Sequence, residues 1–293
     1  MPPGYLPRAR GRGVRPRPNR GGTNREATFA GGGGHAGPRA HHGGTGRRLR
    51  TDALAPSHRG GRGQPIEQLV RLQPGDAGAE REAVQLGIGT WVVPTAKAHK
   101  AGENEYSSSW VGIGGGCVNA DCTVTDSTLI QAGTEQDVDS KGRASYSAWW
   151  ELIPAPSITI SGFPVRAGDK MFVSISENPT GSNVWTILVK NLTTGKTFTQ
   201  TVPYSSTHAT AEWIEETPVV IDDQGNVSIG PLPSLGAVKF TGATTNGTSA
   251  ALKAPEAIQL VDFNGAVLAT PSAPKGGTAF NDCTYASTCA APR

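Results

Sequence analysis

Val184-Trp185-Thr186-Ile187-Leu188-Val189 and Lys196-Thr197-Phe198-Thr199-Gln200-Thr201-Val202 are two runs of β-branched and aromatic residues, and Asn191-Leu192-Thr193-Thr194-Gly195 lies between them. Gly195 accepts the positive φ that such a loop demands, so the stretch predicts an antiparallel hairpin. Segments of the same kind extend outward on both sides. Upstream are Thr90-Trp91-Val92-Val93, halted by Pro94, and Ser109-Trp110-Val111-Gly112-Ile113, which runs into three glycines. Thr128-Leu129-Ile130-Gln131, residues 146–153, residues 157–160 and residues 170–175 follow. Downstream are residues 211–215, 218–221, 237–240 and 257–261. Gly, Pro, Asn, Asp and Ser clusters separate these runs, and no long helical pattern interrupts them. The chain therefore predicts an all-β fold, an antiparallel β-sandwich or barrel.

Charge divides the chain in two. Residues 1–63 hold 13 Arg, no Lys and only Glu26 and Asp52 as acids, whereas the rest holds 14 basic and 22 acidic residues. The first segment also has 16 of the 39 Gly and almost no aliphatic side chains, too little apolar surface to offset the entropy of ordering it. Its Arg8-Ala9-Arg10-Gly11-Arg12 run suits phosphate binding, but Tyr5 and Phe29 are the only stacking partners nearby. It reads as a solvated basic tail with no nucleic-acid partner. Residues 64–82 contain one weakly helical stretch, 65–72, which stops at Pro74-Gly75. Residues 1–82 are accordingly a disordered tail, a propeptide, or translation from a start set too early, and residues 83–293 are the folded domain.

Four cysteines fall in two close pairs, Cys117 with Cys122 and Cys283 with Cys289. Even, local pairing predicts two small disulfide loops and an oxidising compartment, outside the cell. The spacing lacks the short knuckle of a zinc site, so no metal is expected. No apolar run reaches the roughly 20 residues that cross a bilayer, and no signal-peptide stretch stands near Met1. A start set too early would reconcile that last point with the disulfides.

Candidate chemistry clusters in three strands. Alternation along residues 211–216 puts Glu212, Ile214 and Glu216 on one face and Trp213 and Glu215 on the other. Two carboxylates on one face are an acid/base pair if they meet a cleft, and a solvated strand face if they do not. Glu151 sits among Trp149, Trp150, Leu152 and Ile153, where a carboxylate needs a partner. Gln131 follows Leu129-Ile130, and a buried amide must join a polar network or face a ligand. The domain has only His99 and His208, a poor basis for a Ser/His/Asp triad, and no phosphate-loop, dinucleotide or His-Glu-x-x-His motif. No cofactor is expected.

Four motifs in order, Trp110-Val111-Gly112-Ile113-Gly114-Gly115, Leu129-Ile130-Gln131-Ala132-Gly133, Ala148-Trp149-Trp150-Glu151 and Ala211-Glu212-Trp213-Ile214-Glu215-Glu216, resemble those of the glutamic endopeptidases, or eqolisins. The resemblance covers roughly residues 87–293. It implies a lectin-like (concanavalin-type) sandwich of two curved sheets, with Gln131 and Glu216 as the catalytic pair. It also implies that Trp110, Glu135, Trp149, Glu151, Glu212 and Trp213 line or support the cleft. Gly114 stands where fungal members carry an acid, and Glu135 where they carry Asp. No Asn-Trp-Ser-Gly-Tyr-like strand precedes Trp91, which leads to the expectation of an exposed sheet edge where a first strand is missing.

The implied reaction is hydrolysis of a polypeptide without a covalent intermediate, by a monomeric, secreted enzyme acting in acid. Glu216 takes a proton from water and Gln131 donates an N–H to the oxyanion. A carboxylate of ordinary pKa, about 4.3, is a competent base where histidine is protonated. Two alternatives share the residues. One is a non-catalytic, lectin-like module that binds carbohydrate or peptide through a Trp-rich face. The other is a glycosidase using Glu151 and Glu216.

Overall fold

The computed structural model describes residues 83–119, 122–221 and 227–293; the tail of residues 1–82, including the stretch 65–72, lies outside the described residues. The fold is two antiparallel sheets. The larger draws on β1 (Leu86–Val92), β6 (Lys170–Glu177), β7 (Val184–Asn191), β8 (Thr197–Pro203), β12 (Ala237–Thr245), β13 (Thr248–Ser249), β14 (Leu260–Val261), β15 (Val267–Pro271) and β16 (Phe280–Thr284). Its order is β14-β15-β16-β12-β1-β6-β7-β8, with β13 paired to β12. The smaller has the order β5-β4-β3-β2-β9, built from β2 (Ser108–Gly114), β3 (Leu129–Val138), β4 (Ala144–Leu152), β5 (Ile158–Thr159) and β9 (Ala211–Glu216). A separate ribbon pairs β10 (Val219–Ile221) with β11 (Val227–Ile229). Among the described residues the only helical piece is a 3-10 turn, Ala254–Glu256.

The predicted hairpin is β7 and β8, in register from Val184↔Pro203 to Lys190↔Thr197. Period-2 burial runs through β6 and β7, whose alternate residues Met171, Val173, Ile175, Trp185, Ile187 and Val189 are all buried. These meet Val111, Ile113, Ile130, Ala132 and Ala148 from the smaller sheet in one continuous core, with Trp91, Trp213, Phe240 and Phe280 as its largest members. Indole N–H groups are satisfied as burial requires: Trp91 Nε1 donates to Thr134 Oγ1 at 3.0 Å and Trp213 Nε1 to the Ile88 carbonyl at 2.9 Å. Both bonds cross between the sheets. Gly89 makes the second one possible, since a Cβ there would lie 2.6 Å from the Trp213 ring, and the β1–β12 register shifts at the same point.

The segment upstream of residue 83, where the expected first strand would stand, lies outside the described residues, and β1 is the first strand described. That strand is central, paired with β12 on one side and β6 on the other. Among the described residues the ends of the two sheets are β8, β14, β5 and β9. Strand β9 is buried along nearly its whole length even though it is an edge.

Candidate active site

The register of the smaller sheet assembles the candidate residues into three rows on the face opposite the shared core. Gly112 pairs with both Glu212 and Gln131, and Gln131 pairs with Glu151, so one row reads Glu212, Gly112, Gln131, Glu151. The next reads Ile214, Trp110, Gly133, Trp149. The third reads Glu216, Ser108, Glu135, Ser147. Residues two apart on a strand share a face, so all twelve positions look the same way. Trp110, Trp149 and Ile214, with Leu129, form a hydrophobic cluster separate from the main core.

Glycine sets the spacing within the rows. A Cβ at Gly112 would lie 2.8 Å from the Trp110 ring, which covers that position. A Cβ at Gly133 would lie 2.4 Å from the Ser109 carbonyl oxygen and 2.5 Å from Trp110 Cβ. Trp110 can therefore lie flat between the Gln131 row and the Glu216 row only because both neighbours lack side chains.

Gln131 Nε2 donates to Glu151 Oε2 at 2.6 Å, a short contact that fixes the amide plane. Gln131 and Glu151 are both buried. Gln131 Oε1 has no hydrogen-bond partner, and neither do the indole N–H groups of Trp110 and Trp149. Buried polar groups are ordinarily satisfied. An orphan acceptor and two orphan donors on one face mark a place where a bound water or ligand completes the bonding. Exposure rises toward the third row, where Glu216, Glu135 and Ser147 are half-buried. Ser147 Oγ donates to Glu135 Oε2 at 2.6 Å. Glu216 and Glu135 are thus the carboxylates of the set with access to water, and Glu135 is the one bonded to Ser147.

Seven of the eight residues expected at the site lie on this face: Gln131, Glu216, Trp110, Glu135, Trp149, Glu151 and Glu212. Trp213 does not. The alternation of β9 turns it into the core, where it supports the site from behind through its bond to β1. Ser147 and Ser108 were missed; the pairing of β3 with β4 would have found Ser147 opposite Glu135, had β3 been read to its full length. Both expected disulfides form, Cys117 with Cys122 and Cys283 with Cys289. No group of three or more His, Cys, Asp or Glu side chains capable of holding a metal occurs among the described residues.

An antiparallel sandwich carrying a row of acids, an amide and buried tryptophans defines the class, and comparison with known proteins identifies it. The Peptidase A4 family model matches residues 76–285, and the chain belongs to that family. It is similar to Scytalidopepsin B of Scytalidium lignicola, 28% identical over 180 residues, or 59% of this chain and 63% of that protein's length. The match thus spans less than two thirds of that relative. Among solved structures the chain is similar to scytalido-glutamic peptidase with a transition state analog inhibitor. The TM-score is 0.54 and the identity 21%, covering 69% of this chain and 93% of that one. It is also similar to SCP-B, a member of the Eqolisin family of peptidases, in complex with the tripeptide Ala-Ile-His. There the TM-score is 0.50 and the identity 22%, with the same coverage. At these identities the two structures speak for the fold.

Proposed function

We propose that the protein is an acid-acting endopeptidase that hydrolyses polypeptides by a Glu-activated water, with Gln131 as the oxyanion donor and Glu216 as the base. One observation carries this reading: a buried glutamine, held by Glu151 and left with an open acceptor and a second N–H, on the same face as a water-accessible glutamate. The two are two strands and four residues apart, about 17 Å between Cα atoms on a flat sheet. In this reading the water sits on Glu216 and the scissile peptide lies over the intervening Trp110 row, with its carbonyl toward Gln131. Glu216 removes a proton from the water, which attacks the carbonyl carbon, and the free N–H of Gln131 receives the developing oxyanion. An amide does not titrate, so this donor persists in acid, where one such donor is worth about 2.7–4 kcal/mol of barrier. The protonated Glu216 then returns its proton to the leaving amine.

The rival readings fit less well. A carbohydrate-binding face needs exposed rings, whereas Trp110 and Trp149 are 1% and 4% exposed. A glycosidase needs Glu151 as a free acid or nucleophile, whereas its carboxylate orients Gln131. Two disulfides fit a monomer working in an oxidising, extracellular setting.

Hydrolysis of an unfolded protein between pH 2 and 7, in the presence of pepstatin, tests the proposal. Cleavage confined to acid that resists pepstatin and disappears in Glu216→Gln and Gln131→Ala supports it. Full activity in either variant refutes the assigned pair.

A further inference from the structure

Behind the candidate face, two buried carboxyl groups lie close enough in the interior for one to act on the other, without a counter-charge. Glu215 is on β9 of the smaller sheet and points toward the core, and Asp282 is on β16 of the larger sheet, on the same buried face as Phe280. Both are 0% exposed. Glu215 Oε1 has no hydrogen-bond partner, and neither oxygen of Asp282 has one of good geometry; only the N–H of its own neighbour Cys283 lies near enough to pull on that carboxyl. The charges acting on Glu215 are those of Asp282 and its own neighbour Glu216, both acids. From β2 the residue paired with it is Ser109. Asp282 stands beside Val238 of β12 and Pro271 of β15. No Lys, Arg or His among the described residues forms an ion pair with either carboxyl.

The hydrogen bonds around Glu215 are fully used only if it holds a proton. Ser109 Oγ lies within bonding distance of both Glu215 Oε2 and Gln136 Oε1. Ser107 Oγ likewise faces the Gln136 carbonyl and Oε1. Each hydroxyl has one hydrogen to give. A protonated Glu215 donates to Ser109, Ser109 donates to Gln136 Oε1, and Ser107 donates to the Gln136 carbonyl. The chain continues through Gln136 Nε2 to Thr134, whose Oγ1 also accepts from Trp91. An ionised Glu215 claims the Ser109 hydrogen instead, and Gln136 Oε1 and the Gln136 carbonyl are left to share the one hydrogen of Ser107.

We propose that Glu215 and Asp282 form an interior acid lock, protonated in the folded protein, whose ionisation as the pH rises forces the two sheets apart. Two like charges close to each other in the buried interface between the sheets, each short of hydrogen bonds, cannot both be held. Burial pushes Glu215 well above its ordinary range, against the pull of Ser109, and pushes Asp282 up to about 7. In the unfolded chain both ionise near 4. The folded state is therefore favoured in full below about pH 4 and loses this advantage as the pH climbs toward 7. For Asp282 alone, a rise of about three units implies a fall of about a thousand-fold in the folding equilibrium constant across that range. The proposal concerns the fold and stands whether or not Gln131 and Glu216 do the chemistry.

The test is the denaturant midpoint of the full chain, read by tryptophan fluorescence from pH 3 to 8, for the wild type, Asp282→Asn and Glu215→Gln/Asp282→Asn. The wild-type midpoint should fall between pH 4 and 7, and the variants should hold theirs across that interval. Equal steepness in all three overturns the lock. Calcium or sodium that restores the wild type at pH 7 but not the double variant also overturns it, because the pair would then be a cation site. Should the variants fail to fold, infrared spectra of the folded wild type at pH 6 decide: a protonated carboxylic acid band supports the lock and its absence refutes it.

Discussion

Glu151 is predicted to act through Gln131 rather than on the substrate, and the two residues can be separated by a double-mutant cycle. Gln131→Ala removes one oxyanion donor and should lower kcat about 10²–10³-fold. Glu151→Ala leaves the donor in place but removes the 2.6 Å contact that orients it. A hydrogen bond to a charged group contributes about 1.5–3 kcal/mol, so the freed amide should cost about 10- to 150-fold in kcat/KM at 1.36 kcal/mol per decade. Glu151→Gln retains an acceptor for Nε2 at roughly half the strength and should fall between that variant and the wild type. With Gln131 already gone, Glu151 has nothing to orient, and the double variant should be no worse than Gln131→Ala. The assay is steady-state kcat/KM on one peptide at one acid pH, with folded protein confirmed by tryptophan fluorescence. Losses that multiply, for a combined fall of about 10³–10⁵-fold on the figures above, would show that Glu151 contributes on its own and would refute the positioning role.

Gly133→Ala should destabilise the protein by about 1–3 kcal/mol or more, because its Cβ meets the Ser109 carbonyl and the Trp110 backbone, which no rotamer change can move; urea denaturation checks this. Activity in that variant should fall further than stability explains, since Trp110 is displaced between the two catalytic rows. At Glu177, burial pushes the carboxyl up but the Gly181 and Asn183 N–H groups and His208 bring it below its ordinary value. Its contribution is therefore present above the ordinary carboxylate range and lost as the pH falls through the lowered folded value. Glu177→Gln should cost about 1.5–3 kcal/mol at pH 6 and little at pH 2, as followed by melting at both.

The face of each catalytic candidate was legible because strand alternation is local. Residues 211–216 contain enough pattern to put Glu212 and Glu216 on one side and Trp213 on the other, and the fold obeys it. Which strands become neighbours was not legible. Strand β9 returns beside β2 after more than ninety intervening residues, and only that pairing brings Glu212 and Glu216 to the Gln131 face. Strand β3 runs seven residues past the predicted end at Gln131, through Glu135 and Gln136 to Val138. Its polar alternation resembles a loop until the buried serines of β2 are placed opposite. Strands β15 and β16 escaped because Pro271, Asn281 and Asp282 argue against a strand locally, whereas pairing of β16 with β12 and of β15 with β16 overrides propensity. Asp282 was consequently invisible as a partner of Glu215.

On the proposed mechanism, the base Glu216 and the interior pair answer to pH in opposite directions, and together they bound the working range. A carboxylate base must be ionised, so on the proposed mechanism activity increases on the acid side as Glu216 loses its proton. The lock between Glu215 and Asp282 weakens as the pH climbs toward about 7. Gln131 titrates on neither side. The descending limb of the pH–activity profile should then coincide with loss of tertiary structure and not with ionisation of a catalytic acid. Asp282→Asn should move that limb to higher pH and leave the ascending limb where it is. If both limbs stay in place while the variant is demonstrably more stable at pH 7, the upper limit belongs to the chemistry, and an acid group on the catalytic face must be sought among Glu212, Glu135 and Glu151.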